Sequence, residues 1–107
     1  MIESLRAGRI ISHDSLNTIA DGIGVRMPIP EALDDMRGLV DDAIMVGEDA
    51  IVQGMRLLHH HVGVVAEPSA AVGIAAMLEY PEMFRNQLVG AIVCGGNLTL
   101  EQMEKWL

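Results

Sequence analysis

The sequence predicts an α/β domain in which parallel strands alternate with helices, arranged as an incomplete three-layer structure. Three observations carry this prediction. The run Leu88-Val89-Gly90-Ala91-Ile92-Val93-Cys94 is continuously apolar and breaks at Gly95-Gly96-Asn97, the pattern of a strand buried on both faces of a sheet. A second apolar run, Ala43-Ile44-Met45-Val46, stops at Gly47. Around these runs lie segments with helical spacing, and strands separated by helices pair in parallel. These two strands are well marked and a third, around Ile23, is marginal. An ordinary sheet has about four to six strands, so this sheet reads as incomplete.

Taken in order, residues 1–17 are mixed and polar, with at most a first turn of helix before Gly8. Thr18-Ile19-Ala20 reads as extended and leads into an Asp21-Gly22 turn. Met27-Pro28-Ile29-Pro30 forbids regular structure, and Pro30 suits a first helical position. A helix over 30–40 follows, with Leu33, Met36, Leu39 and Val40 on one face. Glu48 and Asp49 supply first-turn acids, favourable against the helix dipole, to a helix reaching His61. Its apolar face is Ile51, Met55, Leu58 and Val62, and Gly63 breaks it. Pro68 opens a helix to about Tyr80 whose Ser69, Ala70, Ala71, Gly73, Ala75 and Ala76 permit close packing, and Pro81 ends it. Thr99 with Gln102 three residues later is a capping-box pattern for a last helix, 99–107.

Composition narrows the function. A chain of 107 residues supports one core, and 1–107 reads as a single domain. Half of the residues are apolar but only 3% are aromatic, so aliphatic side chains and eight Met must build the core. Mean hydropathy is high, at +0.32, which leaves apolar surface for an oligomer or a larger whole. A net charge of −8 with one lysine argues against nucleic acid, because phosphate binding needs clustered cations. No apolar run reaches membrane-spanning length and no signal peptide is recognisable at Met1. With a single cysteine there is no internal disulfide, and the cytoplasm is the expected compartment.

Candidate functional residues cluster late in the chain. Ligands of open α/β sheets sit just outside the carboxyl ends of strands, which draws attention to Cys94–Asn97. From residue type alone, Cys94 reads as a buried, inert thiol, since no base is identifiable for a nucleophile. Glu67 places a carboxylate between Val64-Val65-Ala66 and a small-residue helix; it is either an exposed loop acid or a functional carboxylate in an apolar pocket. His59-His60-His61 is conspicuous, but successive helical residues point about 100° apart and do not converge as His at i and i+4 do. A solvated helix end favourable to His⁺ is the better reading, and no metal site is predicted. Lys105 reads as solvated in a charged terminal helix.

Four segments in register carry a family resemblance: Thr18-Ile19-Ala20-Asp21-Gly22, Val40-Asp41-Asp42, Glu67-Pro68-Ser69-Ala70-Ala71 and Cys94-Gly95-Gly96-Asn97-Leu98. Together they resemble the C-terminal part of the pyridoxal-phosphate-dependent threonine and serine dehydratases, a group with fold type II that includes serine racemase. The resemblance runs from about Ser4 to Leu107. It implies part of a catalytic large domain, with no regulatory domain following. It implies a parent enzyme in which a lysine forms a Schiff base with the cofactor, a glycine-rich loop cradles its phosphate, and L-threonine or L-serine loses water and ammonia to give a 2-oxo acid.

The resemblance also implies roles for four residues. Cys94 matches a position that is usually serine and meets the pyridine nitrogen of the cofactor; a neutral thiol preserves that logic with a poorer hydrogen bond. Glu67 matches a carboxylate near the cofactor ring, Gly22 a backbone position that closes against it, and Gly95 a strand end that approaches without side-chain interference. None is a catalytic base. The chain has no Ser-x-Lys motif and no glycine-rich phosphate loop, and Lys105 lies at the wrong end of the family pattern. The expectation is therefore a truncated piece, a proteolytic remnant or a short open reading frame. Such a chain is inactive alone, does not hold pyridoxal phosphate stably, and partners either with the missing N-terminal part or with itself. The rival reading is a non-catalytic module, derived from the same fold, that dimerises through its unfinished sheet.

Overall fold

The computed structural model describes all residues, Met1–Leu107, and its contacts divide the chain into two compact units. One comprises Met1–Thr18 with Ile23–Met45, the other Ile19–Gly22 with Val46–Leu107.

The first unit holds α1 (Ile2–Ala7) and α2 (Pro30–Met36). Gly8 ends α1 in the left-handed conformation, φ 66°, where a side chain would be strained. Ser4 is fully buried, and its hydroxyl accepts from the Ile11 N–H at 2.9 Å, which folds the following chain back over α1. The Arg37 guanidinium donates to the Gly8 carbonyl at 2.7 Å and that of Arg6 to the Ala43 carbonyl at 2.6 Å. Polar ties of this kind supplement a small apolar interior centred on Leu33. The helix expected over 30–40 stops at Met36 because Gly38 turns the backbone to φ 73°, and Leu39 is left 80% exposed.

The second unit is built on α3 (Glu48–Leu57) packed against α4 (Pro68–Glu79). Ile51 and Met55 of α3 meet Ala70, Ala71 and Ala75 of α4, with Leu58, Ala20 and Ala66 completing the buried cluster. The axes approach closely at Gly54, where an added Cβ would lie 3.1 Å from the Ala71 carbonyl oxygen and 3.3 Å from the Ala75 nitrogen. Full burial of Met55 contributes about 1.5–3 kcal/mol. After Leu57 the helix widens into a π turn, Leu58–Val62, and Gly63 caps it at φ 70°. The wider turn shifts the helical phase, so Val62, expected on the apolar face, is 66% exposed.

Beyond α4, Pro81 opens a short helix, α5 (Pro81–Phe84), rather than simply ending the previous one. The capping box at Thr99 and Gln102 forms as expected and starts α6 (Leu100–Trp106). Trp106 and Leu107 pack against the core, and the Arg56 Nε–H donates to the Trp106 carbonyl at 2.8 Å, tying α6 to α3.

No β-strand or bridge forms within the chain, so the expected alternation of parallel strands with helices is not realised here. The segment around Ile23 closes a short 3-10 turn, Asp21–Ile23, and the runs 43–46 and 88–94 have no ladder. A strand exists only through a neighbour's N–H and C=O groups. The 64–67 and 88–97 segments share a single backbone hydrogen bond, from the Glu67 N–H to the Gly95 carbonyl at 3.0 Å. Apolar composition was sufficient for the sequence pattern, but pairing partners are missing.

Candidate functional site

The site forms where the N-terminus of α4, the loop at 95–97 and the turn at 20–22 come together. Glu67 is the N-cap of α4, held extended at φ −72° and ψ 162° by the following Pro68. Its backbone N–H is bound to the Gly95 carbonyl, and its carboxylate Oε2 accepts the Asn97 N–H at 3.0 Å. The Glu67 residue thus grips the 95–97 loop at both ends, and its half-buried carboxylate makes a charge-assisted hydrogen bond.

Three glycines leave room for this grip. A Cβ on Gly95 would fall 2.6 Å from the Glu67 carboxylate carbon. On Gly22 it would meet the Ser69 Oγ at 2.8 Å and the Glu67 Oε1 at 3.3 Å, and on Gly96 the Val65 carbonyl oxygen at 2.5 Å. Ser69 is 4% exposed, and its hydroxyl has no hydrogen-bond partner, a costly state for a buried polar group.

Of the four residues singled out in the sequence, Gly22, Glu67 and Gly95 are thus brought together. Cys94 adjoins Gly95 but is exposed, which corrects the reading of a buried, inert thiol. The reason is that its run has nothing packed over that side: Ile92 is 86% and Leu88 105% exposed. Ser69 carried no signal of its own; a serine in the first turn of a helix is ordinary. Asn97 contributes through its backbone, which residue type does not reveal.

The remaining candidates stand apart. The His60 and His61 rings meet edge to face, with centroids 4.8 Å apart, and no group of three or more His, Cys, Asp or Glu is placed to hold a metal ion. The one lysine, Lys105, lies in α6 with its Nζ 5.8 Å from the Trp106 ring centre. No helix is long and apolar enough to cross a membrane.

Glycines at 22, 95 and 96 thus admit one anchored carboxylate and one unsatisfied hydroxyl, which leave hydrogen-bonding capacity for a polar ligand. Comparisons with known proteins point the same way. The family described as "Pyridoxal-phosphate dependent enzyme" matches residues 1–95. The chain is 37% identical over 101 residues to a beta-hydroxyaspartate dehydratase of Paracoccus denitrificans, covering 94% of this chain and 31% of that protein. It is 38% identical over 108 residues to a serine racemase of Oryza sativa subsp. indica, covering 92% and 30% respectively. Among solved structures, a threonine deaminase of T.th. superposes with a TM-score of 0.85 at 31% identity, covering 92% of this chain and 35% of that one. Maize serine racemase does so with a TM-score of 0.84 at 36% identity, covering 97% and 33%. The chain therefore spans about a third of the length of these relatives.

Proposed function

The chain belongs to the pyridoxal-phosphate-dependent enzyme family, and on that premise we propose that it is the C-terminal portion of the catalytic large domain of a threonine/serine dehydratase-like enzyme. The whole enzyme removes water and ammonia from L-threonine or L-serine to leave a 2-oxo acid, in the cytoplasm. The observation that carries this reading is that Gly22 and Gly95, from distant parts of the chain, both converge on the Glu67 carboxylate.

The residues present fit one side of pyridoxal phosphate. Gly22 and Gly95 leave the space of a side chain to Ser69 and Glu67, which sets those two polar groups side by side, and the orphaned Ser69 hydroxyl beside Gly22 marks a polar spot without a partner. When bound, the cofactor supplies an electron sink for charge developing at the substrate Cα. Glu67, fixed by the Asn97 N–H, would help to orient that ring, and the exposed Cys94 thiol would be the partner of its nitrogen. The amine that anchors the cofactor and the loop that cradles its phosphate have no counterpart here, since Lys105 sits in α6. They belong to the remaining N-terminal part, which is the proposed partner of this chain. In that assembly the runs 43–46, 64–67 and 88–94 enter a parallel sheet that they do not form among themselves.

The first test is to read the DNA upstream of the Met1 codon. An in-frame continuation encoding Ser-x-Lys and a glycine-rich loop supports the reading, and the polypeptide it encodes should release ammonia from L-threonine or L-serine. A stop codon and ribosome-binding site there sink it for this chain. The 107-residue chain with added pyridoxal phosphate is expected to show no turnover; turnover would overturn the assignment of the anchoring amine to the missing part.

A further inference from the structure

We propose that Ser69 is a positioning residue for Glu67: its hydroxyl is a second seat for the carboxylate, which makes Glu67 a latch on the 95–97 loop. This goes beyond the enzymatic reading and does not rest on it.

The chain buries two polar side chains, Ser4 and Ser69. Ser4 is satisfied, since its hydroxyl accepts the Ile11 N–H at 2.9 Å. Ser69 is not: it is 4% exposed and its Oγ has no partner. Residues of this chain enclose that hydroxyl, so its lack of a partner is not a consequence of the chain's length. Alanine would fit at lower cost, as it does at Ala70 and Ala71 on the same turn of α4. A buried group left unpaired in this way is explained by a partner that arrives through movement.

Glu67 supplies that partner. Its Oε2 accepts the Asn97 N–H at 3.0 Å, while its Oε1 faces Gly22. A Cβ on Gly22 would stand 2.8 Å from the Ser69 Oγ and 3.3 Å from the Glu67 Oε1, so the two oxygens flank one glycine. The terminal torsion of a glutamate is broad, and turning it carries the carboxylate off the Asn97 N–H and onto the Ser69 hydroxyl. The Ser69 O–H then donates to Oε1, a charge-assisted bond like the one it replaces. The carboxylate keeps a partner as it moves, whereas the loop loses its hold at Asn97. The bond from the Glu67 N–H to the Gly95 carbonyl, 3.0 Å, stays in place. The loop is thus hinged at Gly95 and latched at Asn97, and Cys94 lies just before the hinge.

The first test is amide exchange of the 107-residue chain with and without Ser69→Ala. Without the second seat, opening the latch leaves the carboxylate unpaired, so exchange of the Asn97 N–H should slow at least about fivefold. The Gln102 N–H, bonded to the Thr99 Oγ1 at 3.2 Å, is the reference and should not change. Unchanged exchange at Asn97 would overturn the proposal, and so would equal slowing at both amides.

The second test removes the latch with Asn97→Pro. The Leu98 N–H donates to the Gly96 carbonyl at 3.1 Å, a γ-turn centred on Asn97, whose φ is not positive, so the backbone accepts proline. The carboxylate should then sit on Ser69. In this background Ser69→Ala should raise the unfolding equilibrium constant about tenfold, the reverse of its effect in the unaltered chain, where it deletes an unpaired hydroxyl. Adding Glu67→Ala should abolish that cost. A Ser69→Ala that stabilises the Asn97→Pro chain, or a cost that persists without Glu67, would overturn the proposal. The exchange comparison needs no proline and decides the matter if that variant does not fold.

Discussion

Gly95→Ala tests the contact on which the site depends. The new Cβ would stand 2.6 Å from both Cδ and Oε2 of Glu67 and 2.8 Å from its Oε1, against an optimum near 3.5–4.0 Å for non-bonded heavy atoms. Gly95 is not among the positive-φ glycines, so the backbone accepts alanine and the penalty is steric. The least costly relief is for the Glu67 carboxylate to swing aside, losing the bond it accepts from the Asn97 N–H. Hydrogen bonds to charged groups contribute about 1.5–3 kcal/mol, and this one is open to solvent, so about 1–2 kcal/mol is expected. In a domain of this size each kcal/mol lowers Tm by about 4–8 °C. The assay is urea and thermal unfolding followed by helical circular dichroism, on Gly95→Ala, Glu67→Ala and the double variant. With the carboxylate already removed, the three nearest atoms the added methyl would meet are gone, and Gly95→Ala should cost less than about 0.5 kcal/mol. Equal cost in both backgrounds would refute the argument that the glycine exists to admit Glu67.

Three further outcomes follow from local features. Ser69→Ala removes a buried hydroxyl that has no partner, so it should raise stability by about 1–3 kcal/mol; a loss in the same unfolding assay would show that the hydroxyl is satisfied. Thr99→Ala breaks the capping box in which Thr99 Oγ1 accepts the Gln102 N–H at 3.2 Å, and should cost about 1 kcal/mol, with Trp106 fluorescence reporting the loosened α6. The Arg85 guanidinium, its Nε 2.9 Å from Glu82, holds the Glu82 carboxyl below the usual carboxylate range. Its contribution to stability is therefore present above the ordinary carboxylate pKa and disappears as pH falls through the depressed value. In an NMR titration Arg85→Ala should return the Glu82 midpoint upward, and an unmoved midpoint would refute the pairing.

The structure separates what is written locally from what is not. Pro68–Glu79 was legible to within a residue, because Pro68 at the first helical position and Pro81 beyond the end act through the chain itself. The capping box at Thr99 was legible for the same reason, its partners lying three residues apart. The end of α2 was misjudged by four residues, since the apolar spacing of Leu39 and Val40 continued past the break at Gly38. The π turn at Leu58–Val62 left no mark in the spacing at all.

The site divides along the same line. Gly22, Glu67, Cys94 and Gly95 were named from a family resemblance, whereas their residue types alone left Glu67 undecided and made Cys94 a buried thiol. By itself the sequence determined α4, the start of α3, the capping box of α6, the acidic and lysine-poor character of the chain, and the family to which it belongs. Only the tertiary structure decided that Gly54 lets α3 and α4 touch, that Ser69 is buried without a partner, and that Glu67 grips the 95–97 loop. It alone also decided that the apolar run at 88–94 stands uncovered, since a strand is a relation between segments and no single segment contains it.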